Sequence, residues 1–207
     1  MLRRLSALLA LLMVAACATS SGDTGWTPVQ SVQEFRQSHV VVQQWDLSCG
    51  AAALATLMNY QHGAAFTEKF VAQSMLRRVN PLTVRIKGGF SLLDMKRFVL
   101  RHGLRGRGFM RLPFDQLTAL APAIVPVDLG GYRHFVIVRG LVAGRVLLAD
   151  PAFGNRSLPV SDFTQAWLSG IAFVVQRRDG LAPPNRIGVE AVDFVRVPLR
   201  FVRQSLW

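Results

Sequence analysis

Two cysteines, four histidines and only 12 carboxylates limit the chemistry available to this chain. Cys49 ends the polar stretch Gln43-Gln44-Trp45-Asp46-Leu47-Ser48 and opens the Ala/Leu-rich run Gly50–Tyr60. A free thiol has a pKa of about 8.5, and helix N–H dipoles or a neighbouring imidazolium lower it by favouring the thiolate. Cys49 at such a helix start is suited to nucleophilic attack. The plainer role for a lone cysteine is a small buried hydrophobe. Gly50 is expected to admit close approach of a substrate backbone. The base must come from His39, His62, His102 or His134. His62 and His102 stand beside Gly63 and Gly103, where a histidine meets the dipole at a helix C-terminus. His39 lies just before a short β-rich run. His134 follows Gly130-Gly131-Tyr132-Arg133 and opens the apolar run Phe135–Val138, which puts it at the lip of a buried strand. Asp150 closes the next run, and a hairpin turning at Ala143-Gly144 brings it beside His134, where it fixes the imidazole tautomer. By themselves, His134 reads as a surface strand end and Asp150 as a turn residue before Pro151. An oxyanion formed at Cys49 needs donors: its own backbone N–H, and the side-chain amide of Gln43 or Gln44. No metal or cofactor enters this constellation.

The elements that must hold these residues follow from pattern. Ser48 is the expected N-cap of the Cys49 helix, with Gly63 near its end. A second helix is expected over about Thr67–Arg78, and a third from Ser91, whose Asp94 completes a Ser-x-x-Asp variant of the capping box, to Gly103. Val40–Val42 reads as a short strand. Ala123–Val127, His134–Val138, Arg145–Ala149 and Ile171–Val175 read as antiparallel strands of one sheet, with a short helix at Ser161–Trp167. Helices first and strands second describe an α+β fold.

The chain has 207 residues, of which 51% are hydrophobic, enough for one domain with a substantial core. Its formal net charge of +12 favours anionic partners. With no nucleic-acid motif in the sequence, a membrane surface or a peptide is the expected partner, not nucleic acid. Residues 1–16 read as a signal peptide: Arg3 and Arg4, the apolar run Leu5–Val14, then Val14-Ala15-Ala16-Cys17, which resembles a bacterial lipobox. An ordinary secretory signal is the plainer alternative. That resemblance implies lipidation of Cys17, with Ala18 after it pointing to the outer membrane of a Gram-negative cell and a protein facing the periplasm. A capped Cys17 leaves Cys49 without an intrachain partner in an oxidising compartment, which suggests that the thiol is used. The expected organisation is a signal peptide (1–16), an anchor and tether (17–39), a catalytic domain (40–178) and a basic, apolar tail (179–207) that either packs on the domain or lies on a membrane.

The segment Gln43–Ala55 resembles the catalytic-Cys motif of the C39 peptidase family, papain-like enzymes that cut double-glycine leader peptides. The resemblance extends to the His134-Phe135-Val136-Ile137-Val138 strand, Asp150-Pro151, Phe153-Gly154 and Gly88-Gly89-Phe90-Ser91-Leu92, over roughly Val40–Val175. It implies a papain-like α+β fold and an acyl transfer by Cys49, His134 and Asp150. The family's Gln stands six residues before the Cys, which selects Gln43 over Gln44 for the oxyanion hole. Ser48 departs from the Asp that many members carry before the Cys. Neither a transmembrane bundle nor a Walker motif is present, so the chain resembles stand-alone exported members, some of which accompany functional-amyloid or other export systems. The implied activity is cleavage, after Gly-Gly in the family's pattern, of an exported protein or a secretion-system component. The alternative is a non-cleaving chaperone-like module that only holds peptide.

Overall fold

The computed structural model describes residues 31–181 and 183–188. The expected signal peptide, the Cys17 anchor and the tail beyond 188 lie outside them. The helices are α1 (Val32–Gln37), α2 (Cys49–Thr56), α3 (Glu68–Leu76), α4 (Pro81–Lys87) and α5 (Leu92–Arg101). Strand β1 (Arg105–Phe109) and helix α6 (Phe114–Ala119) lead to β2 (Ala123–Leu129), β3 (Tyr132–Val142), β4 (Arg145–Asp150) and β5 (Gly154–Pro159). Helix α7 (Val160–Ala166) and β6 (Ala172–Gln176) follow.

Every residue of α2 is buried, and none has a side chain larger than Leu54, so neighbours close on it from all sides. A π-helical turn, Leu57–Gln61, prolongs it to His62, with Gly63 at φ +73° just beyond. The helix boundaries have local causes. Thr67 accepts the Phe70 N–H at the start of α3, and Ser91 and Asp94 form the full reciprocal capping box on α5. Asn80 caps α4, Pro81 stands in its first turn, and Gly88 closes it in the left-handed region.

The sheet is six-stranded and antiparallel, in the order β1-β6-β2-β3-β4-β5. Both faces are covered. Ile124, Ile137, Ala149, Phe173 and Val175 pack with α2, Met95 and Phe98. Val125, Val127, Val136, Leu148 and Val174 pack on the other side with Leu117 of α6 and Phe163 of α7. Two buried faces explain why the central strands read as continuous apolar runs and not as alternating ones.

Two expectations change, and a third is made specific. Val40–Val42 forms no strand; Val41 donates its N–H to Thr56 Oγ1 at 2.9 Å. Val32–Gln37, placed in the tether by sequence, is helical and packs on β5, and Asn155 Nδ2 donates to the Ser38 carbonyl at 2.7 Å. The first residues of the expected tail, 183–188, are a strap on the domain. Gln61 Nε2 donates to the Pro184 carbonyl at 2.9 Å and Gln61 Oε1 accepts the Arg186 N–H at 2.8 Å. Ile187 is buried, and its carbonyl accepts from Arg139 Nε at 2.6 Å.

Candidate active site

Cys49 is the first residue of α2, buried and free. Ser48 precedes it but does not cap the helix. Its hydroxyl instead donates to Glu68 Oε1 and the Trp45 carbonyl, and Glu68 also accepts the Gln44 N–H at 2.9 Å. Glu68 is itself buried, so the first turn of α3 anchors the loop that leads into Cys49. Leu47, in that loop, has φ +67°, and its carbonyl would stand 3.2 Å from a Cβ at Gly89. The Gly88-Gly89 pair therefore serves a helix end and a close approach to the cysteine loop. Gly50 packs closely too: a Cβ there would meet Met95 Cε at 2.6 Å, so the end of that side chain would have to shift, and the Phe135 ring at 3.4 Å.

His134 and Asp150 meet as expected. His134 Nε2 lies 3.1 Å from Asp150 Oδ2, and both side chains are fully buried. A carboxylate only accepts, so Nε2 carries the proton and Nδ1 of the neutral ring is the basic nitrogen. Nδ1 lies 3.4 Å from the Tyr132 carbonyl. The Asp150 carboxylate also accepts the Ala152 N–H at 2.9 Å and one Arg156 N–H at 3.4 Å. Tyr132 stacks on the imidazole with ring centres 4.6 Å apart.

The reason these two side chains share a face is finer than a plain hairpin. Ala143 and Gly144 both have positive φ, at +46° and +74°, as a two-residue primed turn requires. Pairing starts at Val142↔Arg145 and holds to Gly140↔Leu147, but then becomes Val138↔Leu148 and Ile137↔Ala149. Arg139 is the extra residue of a β-bulge. Continued to Asp150, the shifted register puts Val136 opposite it, and Val136 shares a face with His134. Without the bulge, Ile137 would stand there and the two groups would face apart.

Phe135, next to His134, brings β3 to the cysteine: its backbone N–H points at the thiol, as does that of Gly50. These dipoles lower the thiol pKa, but burial outweighs them and pushes Cys49 above the ordinary thiol range, with the Asp150 charge adding a smaller push. The helix start alone therefore does not make a thiolate here. Gln43 is tied to the Asp150-Pro151 turn, its N–H donating to the Pro151 carbonyl at 2.8 Å. Its Nε2 reaches the Tyr132 hydroxyl at 3.5 Å, and its Oε1 is buried without a partner. Gln44 is exposed and contributes its backbone to Glu68. A groove of about 550 Å³ opens beside the cysteine loop, lined in part by Trp45, Leu47, Ser48, Leu76, Val84 and Phe90.

His39, His62 and His102 lie elsewhere. His39 stacks edgewise on Tyr60, while His62 and His102 end their helices as expected. Sequence reasoning missed Glu68, Tyr132 and Arg156. Tyr132 had the one available signal, an aromatic two residues before the histidine of a strand.

The peptidase C39 family matches residues 37–180. A protein described as a probable functional amyloid protease FapD, from Pseudomonas aeruginosa, is 42% identical over 159 residues, covering 76% of this chain and 69% of that protein. One of the same description from Pseudomonas fluorescens is 38% identical over 162 residues, covering 78% of this chain and 71% of its own. Among solved structures, a double glycine motif protease from an AMS/PCAT transporter, in complex with a leader peptide, has a TM-score of 0.56 at 24% identity, covering 67% of this chain and 90% of that one. The peptidase domain of Streptococcus ComA, a bi-functional ABC transporter, has a TM-score of 0.55 at 20% identity, covering 68% and 99%. These two likenesses show the papain-like α+β fold.

Proposed function

Since the chain belongs to the peptidase C39 family and is a peptidase, we propose that Cys49 is its nucleophile, His134 its base and Asp150 the group that orients the base. The buried His134–Asp150 pair, with the backbone N–H of the neighbouring Phe135 beside the Cys49 thiol, supports this reading. Because burial keeps the thiol protonated, Nδ1 of His134 must take its proton as sulfur attacks the scissile carbonyl. The backbone N–H of Cys49 and the Gln43 amide stabilise the oxyanion, the Gln43 amide turning its Nε2 from Tyr132 toward the substrate. The imidazolium then protonates the leaving amine. Water, deprotonated by His134, releases the acyl group and regenerates the thiol.

The groove beside Trp45 and Leu47 is the proposed seat of the substrate segment before the cut. A narrow passage at Cys49 that accepts only residues without a Cβ would select Gly-Gly. The substrate is an exported protein or a part of its secretion machinery. The two relatives described as functional amyloid proteases make an amyloid subunit or its exporter the first candidate. We further propose lipidation at Cys17, which would hold the enzyme on the outer membrane, facing the periplasm of a Gram-negative cell.

Cys49→Ala tests the chemistry. It should abolish processing while still binding the substrate, which then co-purifies and is identified by mass. Undiminished processing by Cys49→Ala would remove Cys49 from the mechanism.

A further inference from the structure

The outer face of α5 plays no part in the site. Its inner residues Met95, Phe98 and Val99 are fully buried, with Met95 against Gly50. At helical spacing the opposite face carries Leu93, Lys96, Arg97, Leu100 and Arg101, all exposed. Leu93 is 51% exposed and Leu100 58%. Arg77 and Arg78, just past α3, extend the same surface, and an open groove of about 950 Å³ is lined by Arg77, Arg78, Arg97, Arg101, Leu100 and His102.

The positive charge is not cancelled locally. The two carboxylates of these helices, Glu68 and Asp94, are both buried; Glu68 holds the cysteine loop and Asp94 completes the α5 cap. Asp94 lies 3.8 Å from Arg97, and Arg101 gives one N–H to the Ser74 carbonyl at 3.3 Å. Arg77 and Arg78 make no ion pair among the described residues. Scattered exposed leucines need no explanation. Exposed leucines beside uncancelled arginines let one surface meet both the charged headgroups and the acyl boundary of a bilayer. Guanidinium groups bind phosphate oxygens through paired N–H groups. An acidic polypeptide would satisfy the arginines but leave Leu93 and Leu100 without a seat.

We propose that this face is a membrane-contact surface that recognises the phosphate headgroups of an anionic phospholipid bilayer. Arg77, Arg78, Arg97 and Arg101 pair with phosphates while Leu93 and Leu100 reach below them. The surface lies on the side of α5 away from Gly50. It depends on neither the Cys17 lipid nor the role of Cys49.

The test uses the full chain carrying Cys17→Ser, so that no acyl group contributes, and flotation with vesicles of phosphatidylcholine alone or mixed with an equal amount of phosphatidylglycerol. The parent should float with the anionic vesicles and not with the neutral ones, less so as salt rises. Each basic residue near an anionic surface contributes about fivefold. Arg77→Gln/Arg78→Gln/Arg97→Gln/Arg101→Gln should therefore weaken partitioning by roughly 100-fold after screening. Arg77→Gln/Arg78→Gln alone, which removes no side-chain hydrogen bond to the described residues, should cost about tenfold. Leu93→Ser/Leu100→Ser should weaken it while keeping the salt dependence. Equal binding by the parent and both arginine variants overturns the proposal, as does equal binding to both vesicles. Binding of soluble polyglutamate through these arginines, with anionic vesicles ignored, overturns it in favour of an acidic polypeptide. Thermal unfolding and alkylation of Cys49 in the same preparations separate loss of this surface from loss of fold or of the peptidase site.

Discussion

Cys49 carries two opposed influences, and their balance decides how it can act. The dipoles of the Phe135 and Gly50 N–H groups favour a thiolate, while burial disfavours it more strongly. Its folded pKa is thus raised, so the native state retains a proton that the unfolded chain loses near pH 8.5. The sign follows: stability falls as pH rises from about 8.5 toward the folded value. Urea unfolding should show this alkaline loss, and it should be smaller in Cys49→Ala. Gln43 is held beside the Asp150-Pro151 turn, and its donor Nε2 makes only one long hydrogen bond, 3.5 Å to the Tyr132 hydroxyl, which a transient ligand can replace. Gln43→Ala should lower kcat by about 100–1000-fold with a small change in KM. Steady-state kinetics on the trapped substrate would check it, and a change confined to KM would count against the oxyanion role. These residue types and their spacing were readable in advance. The thiol's shift was not, because burial is a property of packing.

At the scale of elements, Arg139 joins two features that the sequence did not reveal. It is the bulged residue of β3 and 1% exposed, and it bonds Asn155 Oδ1 at 2.8 Å and the carbonyls of Ile187 and Gly188 in the strap. The strap returns to Gln61 at the end of the Cys49 helix, so it links that helix to the strand that carries His134. Arg139→Ala should destabilise the domain by about 3–5 kcal/mol, because buried acceptors lose their donor. Denaturant unfolding measures this. Register slip after loss of the bulge should also lower turnover of the protein that remains folded. Capped helices and apolar central strands were legible from their signals. The missed strands are the two sheet edges, β1 (Arg105-Gly106-Arg107-Gly108-Phe109) and β5. Edges are polar and poor in β-branched residues, so period and propensity are weak there. Gly106 is small because a Cβ would stand 2.5 Å from the Phe173 ring, a cause that only the packed sheet contains.

For the whole molecule, the histidines outside the site set the acid limit. Burial lowers the pKa of His62, with the Arg186 charge adding to it, and of His102, with Arg101 adding. Both take up a proton at lower pH in the native state than in the unfolded chain, which is protonated below about pH 6.5. Stability should therefore fall as pH drops from about 6.5, and His102→Gln should flatten that slope in urea unfolding between about pH 7 and 5. The net charge of +12 adds self-repulsion to the same trend and orients the protein toward anionic surfaces.

Sequence alone named the candidates for the chemistry. A thiol at a helix start, a histidine opening one strand, an aspartate closing the next and a glutamine six residues before the cysteine are local facts of order and spacing. Together with the resemblance to the C39 family, which selects Gln43 and implies peptide cleavage, they lead to an α+β peptidase. Only the tertiary structure decided how those groups meet. A bulge one residue long turns Asp150 to the face of His134, Ser48 bonds Glu68 instead of capping the Cys49 helix, and the basic face of α5 is left exposed by the side that packs on Gly50. Each of these depends on contacts between residues distant in sequence, where register and burial are settled by the fit of whole elements.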